Sequence, residues 1–270
     1  MTNLEGKVAI VAGASAEGGT GWAIAEALAH SGAKVVVGAR TFEPLKRLAD
    51  KIGGIAIKCD VAKEDDVQAL TQAALDNYGK LDIAVNSAGL PVLGLIADIE
   101  PAALQRALDV NYLGQFYFVK HAAEAIGNDG SIIFISSMST THPTFPHFSY
   151  ACAKSASDCL TRYAALEYGS RNIRVNSILP GAIMSEMARE AFSDPAMKAA
   201  YVKEIPLGRP GYPEDFANAV LWLAGPSYVT GLALQVNGGN QLTRFPYLDE
   251  LPRGSDSFGE SKPLHDRVSG

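Results

Sequence analysis

Val8-Ala9-Ile10-Val11-Ala12 is an unbroken apolar run, the pattern of a strand covered on both faces. Similar runs recur at Lys34–Gly38, Ile55–Cys59, Leu81–Val85, Ser131–Ile135, Ile173–Ile178 and Ala233–Val236. Stretches of helical composition lie between them. Trp22–Ala29 is free of breakers, and Phe42 to Ile52 follows the second run. Lys63 to Tyr78 carries Val67, Leu70, Ala74 and Leu75 at amphipathic spacing. A long helix is expected from Pro101, a residue suited to a first turn, to Ile126. Further helices are expected around Tyr150 to Lys154 and from Pro213 to Leu223, while Asp194-Pro195 reads as a break in a polar segment.

This alternation requires right-handed crossovers. It predicts an α/β fold, a doubly wound parallel sheet of about seven strands with helices on both faces. Without a repeat or long linker, residues 1–242 are expected to form a single domain. From about Thr243 the alternation stops, and 243–270 reads as a C-terminal extension, mobile from Asp249 on. Phe245-Pro246-Tyr247-Leu248 is its one apolar stretch with surface to dock.

Composition narrows the function classes. The 270 residues are 47% hydrophobic and 19% charged, enough for one sizeable core. A net charge of −6 disfavours a nucleic-acid groove or an anionic membrane surface. Cys59, Cys152 and Cys159 show neither C-x-x-C nor a metal-ligand spacing, so reduced thiols and no metal are expected. Cys152 reads as a packing residue. No apolar run approaches the ~18 residues of a membrane span. The N-terminus enters a strand at once without a signal-peptide core, so a cytoplasmic protein is expected.

Two stretches carry chemistry. Gly13-Ala14-Ser15-Ala16-Glu17-Gly18-Gly19-Thr20-Gly21 joins the first strand to the first helix. Glycines there let backbone approach a phosphate, and the helix start offers free N–H groups. Tyr150 and Lys154 sit four residues apart, one above the other on a helix face. An ammonium beside a phenol favours the phenolate, so the lysine is expected to lower the tyrosine pKa toward the range useful for acid–base catalysis. An ordinary exposed helix face explains most such pairs taken alone.

Together these residues resemble the short-chain dehydrogenase/reductase superfamily over roughly Leu4 to Leu242. The family loop T-G-x-x-x-G-x-G is matched by Gly13 and Gly19-Thr20-Gly21, with Ala12 replacing the threonine and two extra residues inside. Asn86-Ser87-Ala88-Gly89 resembles the family N-N-A-G, and Asp60-Val61 its adenine-contacting pair. The family tetrad maps onto Asn111, Ser137, Tyr150 and Lys154; Ser137 precedes Tyr150 by the usual thirteen residues, which favours it over Ser136. Pro180-Gly181, Ile183 and Ser185 match the segment that closes over the nicotinamide, and Asn237-Gly238-Gly239 the end of the last strand.

The resemblance implies a Rossmann-like fold and an NAD(P)-dependent oxidoreductase that interconverts a secondary alcohol and a ketone. Tyr150 would exchange the proton, Lys154 would support it and bind ribose, Ser137 would hold the substrate oxygen, and Asn111 would fix a helix kink and a water beneath Lys154. Where NAD enzymes place an acid after the second strand, this chain has Ala39-Arg40-Thr41. A guanidinium suits a 2′-phosphate, so NADP(H) is favoured over NAD(H). Leu90, Val92, His142, Phe145, His147, Phe148, Met184 and Met187 are candidate pocket residues for a neutral, moderately hydrophobic substrate. A homo-oligomer, tetramer or dimer, is expected through the two long helices, with Ala151, Ala153, Ala156, Ala164 and Ala165 permitting close approach. Two alternatives are an enoyl reductase, some of which carry a longer glycine loop but a wider Tyr–Lys spacing, and a catalytically silent NADP sensor or scaffold, which would usually lose part of the tetrad.

Overall fold

A computed structural model describes residues 2–184, 191–247 and 250–252. The seven apolar runs form β1 (Val8–Ala12), β2 (Lys34–Ala39), β3 (Ile55–Lys58), β4 (Ile83–Asn86), β5 (Gly130–Ile135), β6 (Ile173–Pro180) and β7 (Ala233–Val236). They make one sheet in the order β3-β2-β1-β4-β5-β6-β7, with every neighbouring pair parallel. The fold is the Rossmann-like doubly wound sheet that the alternation predicts.

The linking helices are α1 (Thr20–His30), α2 (Phe42–Ile52), α3 (Glu64–Tyr78), α4 (Pro101–Leu108), α5 (Gly114–Ile126), α6 (Phe148–Tyr168), α7 (Pro195–Val202) and α8 (Pro213–Ala224). Alternate strand residues feed opposite layers. Ala9, Val11, Val35 and Val37 pack with α1, α2 and α8. Val8, Ile10, Ala12 and Val36 pack with α3, α5 and α6. With both faces covered, neither set of positions can be polar, hence the continuous apolar runs. Among the described residues, no helix is long and apolar enough to cross a membrane.

Four expectations are corrected. The helix expected from Pro101 to Ile126 is interrupted by a π-helical turn at Asp109–Leu113. There Asn111 donates through Nδ2 to the Ala107 carbonyl at 3.0 Å, competing with the regular backbone ladder. Asp194-Pro195 starts α7 rather than breaking a segment: Asp194 accepts from the Ala196 N–H at 2.8 Å, and the proline takes the first turn. Cys152 is exposed, not packed. Ala153, Ala164 and Ala165 are spent inside the chain's own core; the exposed large apolar side chains on α5 and α6 are Phe116, Tyr163 and Leu166.

Beyond β7 the chain remains tied down. Asn240 Nδ2 donates to the carbonyls of Glu204 and Arg244, and Pro246 is buried. Glu250 is held by Arg244 and Lys203. The mobility expected of the tail otherwise concerns Asp249 and residues 253–270, and Leu248 belongs to the apolar stretch; these lie outside the described residues.

Candidate active site

After β3 the chain crosses to the far side of β1 and begins β4, so the loops leaving β1 and β4 turn apart. Doubly wound sheets open their ligand crevice at this reversal, beyond the carboxyl ends of the strands. Here it is a cleft of about 630 Å³. Gly13, Ser15, Gly19, Thr20 and Gly21 line one end, with Arg40, Thr41, Asp60 and Val61 beside them. Ala88, Gly89, Ser137, Tyr150, Lys154, Pro180, Gly181 and Ile183 line the other. Asn86 and Asn111 stand behind the wall. Ser185 and Met187 lie outside the described residues.

The first end suits a dinucleotide phosphate. Gly13 has φ of +81°, and a Cβ there would lie 2.4 Å from the Ala88 backbone nitrogen. A Cβ on Gly21 would lie 2.3 Å from the Gly13 carbonyl oxygen. Only glycine lets the three segments meet so closely. Helix α1 starts at Thr20 with no side-chain cap and no acid in its first turn. Its free N–H groups and positive dipole end therefore face the cleft. Arg40 is exposed at the cleft edge, and among the described residues no carboxylate pairs with it.

Asn86 is turned into the protein. Its Oδ1 accepts from the Ala88 N–H at 3.0 Å and shapes the loop carrying Ala88 and Gly89. Its buried Nδ2 has no hydrogen-bond partner among the described residues. Asn111 ties the same loop to the π-turn: Nδ2 donates to the Leu90 carbonyl at 2.9 Å, and Oδ1 accepts the Leu90 N–H at 3.1 Å. Ser157 on α6 donates to the Asn111 carbonyl. A Cβ built on Gly89 would lie 3.4 Å from Asn111 Oδ1 and 3.6 Å from Lys154 Nζ, so the three groups share one patch.

Ser137 stands beside Tyr150 and favours its charged form, and Lys154 Nζ lies 5.7 Å from the centre of the Tyr150 ring. The ammonium is 2% exposed and donates to the Ile135 carbonyl at 2.8 Å. Ser137 Oγ accepts from the N–H and the hydroxyl of Ser139. His147 packs edge-on to Tyr150 at 6.4 Å between ring centres. Its Nδ1–H donates to the Phe145 carbonyl at 3.0 Å, and burial lowers its pKa, so the ring is held neutral.

The expected lowering of the tyrosine pKa is not what the site does. Burial pushes Tyr150 up to about 12, against the lowering effect of Ser137, with the nearby Asp158 carboxylate adding to the rise. Burial also pushes Lys154 down to about 8, with Asp158 pulling it back up. Desolvation disfavours charge on both groups, and it is the largest cause of each shift.

Several lining residues escape a reading of the sequence. Cys59 is buried in the cleft wall with its thiol pushed up to about 12, chiefly by burial, and is therefore unreactive. Pro91, Val110 and Ser136 also line the cleft. Asp158 lies beneath it, one helical turn past Lys154. Its spacing of eight residues from Tyr150 was the one signal available.

The comparisons with known proteins agree with this architecture. A family model described as enoyl-(acyl carrier protein) reductase matches residues 13–241. The 3β-hydroxysteroid dehydrogenase 1 of Eggerthella lenta is 39% identical over 90% of this chain and 96% of its own length. The 7α-hydroxysteroid dehydrogenase of Escherichia coli is 35% identical over 87% of this chain and 94% of its own. A solved short-chain type dehydrogenase/reductase from Mycobacterium ulcerans superposes with a TM-score of 0.86 at 30% identity, covering 90% of this chain and 93% of that one.

Proposed function

The chain belongs to the short-chain dehydrogenase/reductase superfamily of nicotinamide-dependent oxidoreductases, and from that premise we propose that it interconverts a secondary alcohol and its ketone. The observation that carries this reading is the placing of Ser137 beside Tyr150 on the cleft wall, with Lys154 Nζ 5.7 Å from the centre of the phenol ring. A bound nicotinamide dinucleotide supplies or accepts the hydride. In ketone reduction Tyr150 gives its proton to the oxygen as charge grows there, and Ser137 donates a hydrogen bond to the same oxygen. In alcohol oxidation Tyr150 takes the proton. Lys154 lends positive charge beneath the phenol and holds ribose hydroxyls, and Asn111 fixes the floor on which Lys154 rests.

On the cofactor side, the open start of α1 and the Gly13–Gly21 loop hold the diphosphate. Asp60 and Val61 hold the adenine, and Arg40 holds a 2′-phosphate, which makes NADP(H) the favoured form. The substrate is a neutral, moderately hydrophobic ketone or alcohol. Two relatives carry hydroxysteroid dehydrogenase names, which supports a cyclic secondary alcohol. Phe116, Tyr163 and Leu166 give α5 and α6 an apolar outer face through which copies of the chain self-associate.

The deciding experiment follows nicotinamide absorbance in both directions, with NADP(H) and NAD(H), across cyclic alcohols and ketones, a 3β-hydroxysteroid and small charged substrates. Turnover of the cyclic compounds is expected. Comparable turnover of charged ones would remove the substrate assignment. NADPH binding without any turnover would support a sensor instead. A second reading, enoyl reduction, draws on the description of the matching family model. The four-residue step from Tyr150 to Lys154 favours carbonyl chemistry over it, and NADPH-dependent reduction of a crotonyl thioester in place of ketones would reverse that choice.

A further inference from the structure

Asp158 has no part in the chemistry proposed above, yet it is buried beside it. Helix α6 places Tyr150, Lys154 and Asp158 at successive four-residue steps, so the three side chains stack along one helix face. Asp158 is 7% exposed and Lys154 is 2% exposed. From β6, the Ser177 hydroxyl donates to Asp158 Oδ1 at 2.9 Å. From the segment after β5, Thr140 and Ser136 also favour the charged form of the carboxylate, while the Thr140 hydroxyl itself donates to the Ser137 carbonyl at 2.9 Å. Ser136 Oγ favours that form without reaching hydrogen-bond geometry to any described atom.

A buried ammonium is strongly disfavoured unless an opposite charge accompanies it. The hydrogen-bond partner of Lys154 is the Ile135 carbonyl, which carries no net charge. Among the described residues, the charged group acting on Lys154 is Asp158, and the charged group acting on Asp158 is Lys154. Tyr150 is the third titratable group facing this patch.

We propose that Asp158 is the buried counter-charge of Lys154, a positioning residue that keeps the ammonium charged and in place beneath Tyr150. Its consequence for turnover rests on the oxidoreductase reading; the pairing itself does not. Ser177 on β6 holds the carboxylate by a hydrogen bond, so it acts on Lys154 as a fixed charge rather than a mobile one. Burial raises the Asp158 pKa, while the three hydroxyls and Lys154 lower it. The arrangement therefore depends on those donors as well as on the acid.

The test reads Lys154 directly, without substrate or nucleotide. Protein carrying 13Cε-labelled lysine is titrated by NMR, with the Lys154 signal assigned through Lys154→Arg. In Asp158→Asn, which keeps an acceptor for Ser177 but loses the charge, the Lys154 midpoint is expected to fall by about one pH unit or more, as for loss of a nearby opposite charge. Ser177→Ala, which removes one donor from the carboxylate, is expected to move it in the same direction by less, and carries the test where Asp158→Asn does not fold. An unchanged midpoint in the folded variants overturns the proposal, even if turnover falls, because a merely structural role predicts that result. A shifted midpoint in a chain that turns over no compound of the panel upholds the pairing while removing the proposed function.

Discussion

Ser139 turns both of its hydrogen-bond donors onto one atom, Ser137 Oγ, the backbone N–H at 3.2 Å and the hydroxyl at 2.9 Å. A hydroxyl has two lone pairs and one proton. With both lone pairs engaged, Ser137 has only its proton to give, and its effect on Tyr150 lowers the phenol pKa against burial. Ser139→Ala frees one lone pair and lets Ser137 accept where it should donate. The expected result is a fall in kcat of roughly fivefold, the value of one ordinary hydrogen bond, with NADPH affinity unchanged. Steady-state kinetics beside nucleotide titration would check it, and an unchanged kcat would show that Ser137 needs no such direction.

Tyr150→Phe keeps the ring and removes the proton. Acid–base catalysis of this kind contributes about 10²–10⁴ in rate, so kcat should drop at least a hundredfold. The Lys154 hydrogen bond to Ile135 does not involve the phenol, and nucleotide affinity should stay within about twofold of wild type. Substantial residual turnover would remove Tyr150 from the proton transfer.

The sheet was legible because a strand covered on both faces must be apolar throughout, and β1 and β7 match their predicted bounds. Local order inside the long helix was not: the π-turn exists because Asn111 bonds to Leu90, twenty-one residues earlier in the chain. In the sequence Asp194-Pro195 reads as a break because proline ends helices, although the same pair is a good helix start when an acid caps the turn. Spacing brought Tyr150 and Lys154 together correctly. It could not weigh desolvation against attraction, because depth of burial depends on what β5 and the following turn lay over them. Asp158 was invisible for a related reason, since its meaning comes from Ser177 on another strand.

Arg40 follows β2 at the cleft edge, and among the described residues it has no carboxylate partner to compete for it. A guanidinium bonded to a phosphate is a charge-assisted contact worth about 1.5–3 kcal/mol. Arg40→Ala should therefore weaken NADPH by roughly ten- to a hundredfold and NADH by less than about twofold. Equal losses for both nucleotides, measured by fluorescence titration, would rule out 2′-phosphate recognition.

Lys154 sets the pH dependence. Its pKa is pushed down to about 8, so the charged form exists below that pH and is lost as pH rises through it. Tyr150, pushed up to about 12, stays protonated across the same range. Ketone reduction should thus be level near pH 7 and fall above about 8 through loss of the ammonium. The stability effect has the opposite sense. Between about 8 and the ordinary 10.5 the unfolded chain binds the Lys154 proton and the folded chain does not, so this group's penalty shrinks as pH rises. Unfolding of wild type relative to Lys154→Met across that window would show the difference moving in favour of wild type. A reduction rate that rises through pH 8 would contradict the assignment.

Arg244 joins the tail to the segment that follows α7. It pairs with Glu250 through both guanidinium nitrogens and reaches Glu204 at 3.3 Å, while its guanidinium lies 4.3 Å from the centre of the Tyr247 ring. Glu250 also takes Lys203 at 2.7 Å, which ties the tail to the last turn of α7 from a second side. Each pair alone is partly exposed and weak, but the four groups form a network whose members share one geometry. Arg244→Ala should release α7 without disturbing the sheet. Hydrogen exchange is expected to quicken by roughly tenfold or less at the amides of residues 196–208, for a loss within the range of such networks, and to stay unchanged in β1, β4 and β5. If those amides keep their protection, the network does not hold that segment; if they lose it, the described part of the tail is what holds α7 and the segment after it in place.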